Sequence, residues 1–201
     1  MPDRLLEGLR RYQREHLPQL REHFAKLASE GQKPSTLFIG CSDSRLVPNL
    51  LTDTGPGEIF MVRNVGNFVP PFQADGDYHG VSAAIEFAVK ILGVTDVVVC
   101  GHSDCGAIRA LYQPPNDSTP HINKWLELGK PAMIDGEPSP ENLRLSEQRS
   151  IIAQLDRLLT FPMVKERVEA GKLTLRGWYF VIESGEVLVL DIEQGKFVAP
   201  T

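Results

Sequence analysis

TLFIGCSDSR (36–45) and TDVVVCGHSDCG (95–106) decide the reading of this chain. Each is a short apolar run, the second almost wholly β-branched, that ends in a polar loop carrying cysteine. Strands that are apolar throughout, rather than at every second residue, are buried on both faces. A third such run is EIFMV at 58–62. Between them, Tyr78–Leu92 carries helical spacing (Val81, Ile85, Val89, Leu92) and stops at Gly93. Alternating strands and helices predict an α/β fold with a mostly parallel central sheet flanked by helices. In such sheets ligands bind just beyond the carboxyl ends of the strands. Both cysteine-bearing loops fall there.

Outward from this centre the signals are plainer. Leu5, Leu9, Tyr12, Leu20, Phe24 and Leu27 recur at helical spacing in residues 3–29, and Pro18 divides that arm into two predicted helices. GQKPS (31–35) ends it. The arm at 1–34 reads either as a helical cover on the core or as an element that packs on a second subunit. Residues 113–142, rich in Pro, Asn, Asp and Gly, read as a surface excursion with a short helix near Ile122–Leu128. Leu143–Leu159 has amphipathic spacing, and Met163–Ala170 extends the helical region beyond Pro162. Lys172–Glu183 and Glu186–Ile192 read as two strands around a Ser184-Gly185 turn.

The 201 residues hold 21 Lys plus Arg and 26 Asp plus Glu, a formal charge of −5, with 42% apolar and 23% charged residues. That is ordinary globular composition, long enough for one domain with a full core over 1–201. The mild acidity argues against a nucleic-acid partner, which would need a basic face. No run reaches the 18 or so apolar residues of a membrane span. MPDRLLEGLRRYQREH (1–16) lacks the apolar segment of a signal peptide, so a cytoplasmic location is expected. Three cysteines do not make a disulfide framework. In a reducing compartment each is a candidate for metal binding or chemistry.

His-x-x-Cys places His102 and Cys105 one turn apart at a helix start, and Cys41 can face them if the strands are neighbours. Two thiolates and an imidazole suit zinc, and three protein ligands leave a fourth position for water or substrate. Each residue also has a plainer role. A cysteine after a strand is commonly a small buried hydrophobe, and Cys100 reads as core. Asp43 and Arg45, two apart, can form an ion pair that keeps Asp43 ionised. Asp43 could then accept a hydrogen bond at the metal, or could itself ligate the metal if the pair broke. A phosphatase loop would need arginine at position 47, which is Val47.

Taken together, Cys41-x-Asp43-x-Arg45, Arg63-Asn64-Val65-Gly66-Asn67 and Gly101-His102-x-x-Cys105-Gly106 resemble the β-class carbonic anhydrases in order and spacing. The likeness runs from about Gln32 to Tyr112. It implies one zinc per chain on Cys41, His102 and Cys105, with Asp43 and Arg45 as the catalytic dyad. It implies reversible CO₂ hydration by zinc-bound hydroxide, with bicarbonate as product and a homodimer or larger assembly. Hydrolysis of CS₂ or COS on the same zinc fold is the alternative. By the same resemblance Gln32 would reach a partner subunit's site, Phe60, Val65 and Phe87 would form an apolar wall, and Gly106 would offer a backbone N–H to substrate. Some members carry a second bicarbonate pocket built from Trp, Arg and Tyr. Here Arg63 matches, but Phe38 and Phe180 stand at the other two positions, so an open site without Asp43 on the metal is expected.

Overall fold

The computed structural model describes residues 3–75, 77 and 79–200. It opens on the arm. α1 (Arg4–Arg11) and α2 (Leu17–Glu30) are joined by a wider π-type turn at Tyr12–His16, so the arm is one continuous helical run and not two separate helices. Pro18 has no N–H to donate and its ring crowds the preceding turn. The widened turn, in which Leu17 N–H reaches back to the Tyr12 carbonyl, absorbs it without a break. No residue of α1 or α2 is fully buried, and α2 meets the rest of the chain through His23, whose ring nitrogen lies 2.9 Å from the Pro56 carbonyl.

β1 (Thr36–Cys41), α3 (Pro48–Thr52) and β2 (Ile59–Asn64) follow. α4 (Gly80–Glu86) runs on as a π-type turn to Leu92 and ends at Gly93, whose φ of 70° is the left-handed stop expected there. The predicted start of this helix at Tyr78 lies outside the described residues. β3 (Asp96–His102), α5 (Gly106–Ala110) and α6 (Pro120–Leu126) lead to α7 (Pro140–Leu158). α7 begins three residues before its first predicted position, because Ser139 caps it and Pro140 occupies the first turn. α8 (Pro162–Glu169) precedes β4 (Thr174–Val181), β5 (Glu186–Asp191) and β6 (Lys196–Val198). β6 was not expected from the sequence.

The sheet order is β2-β1-β3-β4-β5-β6. β2, β1, β3 and β4 are parallel, and β5 and β6 add antiparallel at one edge. Side chains alternate across the sheet. Leu37, Ile39, Val97 and Val99 pack on one face with Ile85, Ile151 and Leu158. Phe38, Val98 and Cys100 pack on the other with Leu46, Phe68 and Ile108. Burial on both faces is the reason these strands read as unbroken apolar runs.

The strand ends differ from the sequence reading in a way that matters for the site. β1 reaches Cys41, paired with Asn64, and β3 reaches His102, paired with Phe180. Both residues are therefore the last of their strands and not loop residues beyond them. Ladder pairing holds each backbone on one side, Cys41 against β2 and His102 against β4.

Candidate metal centre

Because β1 and β3 are neighbours, their carboxyl ends bring Cys41, His102 and Cys105 together, with ligand atoms within 4.8 Å of one another. All three are buried. The imidazole is held by the contact of Nδ1 with the Ser103 carbonyl at 2.8 Å, which leaves Nε2 facing the sulfurs. That Nε2 is buried and has no hydrogen-bond partner. A buried nitrogen without a partner is costly unless something binds it. Burial and the contact between the thiols push Cys105 up, while the same contact with Cys105 pulls Cys41 down. Two thiols, one unpaired imidazole nitrogen and a dry setting fit zinc.

Gly66 shapes one wall of this cage. Its N–H donates to Cys41 Sγ at 3.4 Å, and its φ is 80°. A Cβ there would stand 2.7 Å from the Phe68 ring and 2.9 Å from Ala107 Cβ, so only glycine fits. Asn64 clamps the same loop, accepting from Phe68 N–H at 2.8 Å and donating to its carbonyl at 2.9 Å.

Asp43 lies at the mouth, its Oδ2 3.9 Å from His102 Nε2. Arg45 holds it in a two-point fork: Nε donates to Oδ1 at 2.9 Å and Nη2 to Oδ2 at 2.8 Å. The fork keeps the Asp43 carboxyl well below the usual carboxylate range. Both Asp43 oxygens rest on Arg45, and Asp43 is not among the clustered ligand atoms.

Arg63 braces the loop that carries Asp43. It donates from Nε to the Cys41 carbonyl at 3.0 Å and from Nη2 to the Asp43 carbonyl at 2.7 Å, and so fixes the loop backbone. Phe38 and Phe180 are packed in the core.

The other predicted residues divide into two groups. Val65 and Gly106 flank the cage: Val65 precedes Gly66, and Gly106 opens α5 after Cys105, in the first turn where helix N–H groups lack intrahelical partners. Gln32, Phe60 and Phe87 are elsewhere in this chain. Gln32 precedes β1 and is exposed, at the opposite end of that strand from Cys41. Phe60 sits opposite Leu37, four residues back from Asn64, roughly 13 Å at strand spacing. It stacks on Phe87 with centroids 5.7 Å apart, and Phe87 is 42% exposed.

Residues that sequence reasoning missed also reach this region. Asp104, at φ 57°, accepts from Arg45 Nη1 through Oδ2 at 3.0 Å and from Nη2 through its carbonyl at 3.1 Å. Its other carboxylate oxygen is paired with Arg109. Glu147, on α7, reaches the backbone of Cys105 from behind. One signal could have found it. Glu147, Ser150, Ile151, Gln154, Leu155 and Leu158 form a single stripe at helical spacing, and the acid belongs to the stripe's buried side. Cys100, read as core, is fully buried, and burial pushes its thiol up.

A parallel α/β sheet that carries a Cys-His-Cys cage at its strand ends defines a β-class carbonic anhydrase, and comparison with known proteins agrees. The family described as carbonic anhydrase matches residues 36–187. A carbonic anhydrase of Pseudomonas aeruginosa is 43% identical over 201 residues, covering 97% of this chain and 90% of that protein. One from Synechococcus elongatus is 39% identical, covering 94% of this chain and 71% of its own length. Among solved structures, the β-carbonic anhydrase CcaA superposes with a TM-score of 0.92 at 36% identity, covering 98% of this chain and 91% of that one. A tetrameric β-carbonic anhydrase from Sordaria macrospora gives 0.80 at 28% identity, covering 93% and 95%. The chain belongs to the carbonic anhydrase family, as an enzyme of its β class.

Proposed function

We propose that this chain catalyses the reversible hydration of CO₂ to bicarbonate with one zinc per chain, held by Cys41, His102 and Cys105. The observation that carries the reading is the pairing of that cage with Asp43 locked by Arg45 at its mouth. Bound zinc would supply a water acidified from 15.7 towards 7, with two thiolates moderating the effect, so that it attacks CO₂ near neutral pH. Asp43, kept ionised and aimed by Arg45, would accept a hydrogen bond at the fourth metal position and orient what binds there. The Gly106 N–H and the first turn of α5 stabilise negative charge as it develops on the substrate oxygens. CO₂ carries no charge, so an apolar wall suits it. Val65 supplies part of that wall.

Gln32, Phe60 and Phe87 serve a second copy of the chain in this reading. They lie away from their own cage, Phe87 presents an exposed face, and the arm leaves Leu5, Leu6 and Leu9 exposed. A homodimer or larger assembly would join these surfaces. The proteins reported above are all named carbonic anhydrases, which supports CO₂ rather than CS₂ or COS as substrate.

The test is stopped-flow CO₂ hydration with zinc measured on the same sample. Activity should rise with pH from about 7 to 8.5, following the acidified water, and should vanish on chelation and return with zinc. Full zinc occupancy without hydration would overturn the reading. Arg45→Ala should release Asp43 from its fork. The metal-edge spectrum is then expected to show an added carboxylate oxygen, and an unchanged spectrum would contradict the locking role.

A further inference from the structure

Glu147 is a carboxylate that the proposed chemistry does not use. It is 5% exposed, on the stripe of α7 that faces the sheet. Burying an acid is expensive unless its oxygens are well paired. Here both are: Oε1 accepts the Cys105 backbone N–H at 3.0 Å, and Oε2 accepts the Tyr179 hydroxyl at 2.7 Å. Tyr179 is 1% exposed, and it stands one residue before Phe180, the β4 partner of His102. Glu147 therefore ties three elements together: α7, β4 and the turn between β3 and α5 that carries Cys105. Ser103 and Asp104 of that turn are held from other sides, by the Phe180 carbonyl and by Arg45, while the Cys105 N–H is met by Glu147. Asp104 is in the left-handed region, and Gly106 beside Cys105 is exposed.

We infer that Glu147, backed by Tyr179, is a positioning residue for the metal cage: it fixes the Cys105 backbone so that the sulfur is aimed at Cys41 and His102 before metal arrives. The geometry explains why an acid is retained at a site where an apolar residue would pack. Partners outside the ligand set that orient ligands typically change metal affinity by about 10- to 100-fold when removed.

This rests on the zinc reading above but makes its own claim. The test measures zinc affinity by competition with a chromophoric chelator, alongside thermal unfolding of the same metal-free proteins. Glu147→Leu should weaken zinc binding about 10- to 100-fold. Glu147→Gln keeps an acceptor for the Cys105 N–H and an amide to meet Tyr179, so it should restore most of the affinity. Tyr179→Phe, which leaves Glu147 in place with one partner, should fall between. Leu155→Ala, on the same stripe of α7, should lower the unfolding temperature and leave zinc affinity unchanged. Wild-type affinity in Glu147→Leu, or an equal loss in Leu155→Ala, would overturn the inference. Tight zinc binding in the parent protein with no CO₂ hydration would instead strike the functional reading and leave this one standing.

Discussion

Asp43→Asn is expected to retain zinc and to lose CO₂ hydration by about 10²- to 10³-fold, the range lost when one positioned hydrogen-bonding group is removed from an active site. Asparagine has nearly the shape of aspartate but no charge. The Arg45 fork, Nε on Oδ1 and Nη2 on Oδ2, needs two acceptor oxygens, and the amide offers one. The side chain is then free to turn its NH₂ toward the attacking water, presenting a donor where an acceptor is required. Cys41, His102 and Cys105 make no side-chain bond to Asp43 that zinc binding would lose, and its Oδ2 is 3.9 Å from His102 Nε2. Stopped-flow rates with zinc content on the same preparation decide the matter. Near-normal turnover would remove Asp43 from the catalytic machinery.

Cys41→Ser should have the larger effect, because it removes the metal and with it the reaction. A serine hydroxyl does not ionise near neutral pH as a thiol can, and zinc takes a thiolate far more readily than a neutral alcohol. The site was also built for sulfur: Gly66 N–H meets Sγ at 3.4 Å, too far for a shorter C–O bond to reach without backbone movement. Zinc is expected to fall well below one per chain and hydration to the uncatalysed rate. Circular dichroism should show the helices intact, since the cores on both faces of the sheet remain. A variant that held a full equivalent of zinc and stayed active would overturn the ligand assignment.

How far the sequence could be read follows from what each residue depends on. The apolar runs at β1, β2 and β3 announce themselves because burial on both faces leaves no polar alternation. Cys41, His102 and Cys105 were legible for a related reason: cysteine is scarce here, and the spacing His-x-x-Cys only needs one turn to bring two ligands to a point. Features that depend on a distant partner were not legible. Pro18 reads as a break, yet a local widening of the helix absorbs it. β6 is only three residues and exists because β5 offers an edge. Asp104 looks like an ordinary surface acid until the fold sets it against Arg45. Phe60 and Phe87 fit the family pattern by position, but a single sequence does not say which copy's cage they would face.

The excursion at 113–142 has a mechanical meaning that its composition hides. Trp125 on α6 donates from Nε1 to the Val65 carbonyl at 2.7 Å and leans on Phe68, with ring centroids 6.4 Å apart. Val65 is bonded to Gly66, whose own N–H rests on the Cys41 sulfur. A solvent-facing helix is thereby coupled to a metal-binding thiol through one hydrogen bond, one peptide unit and a second hydrogen bond. Trp125 is thus a strut: a change at the periphery that removed its indole would reach the Cys41 thiol through a single peptide unit.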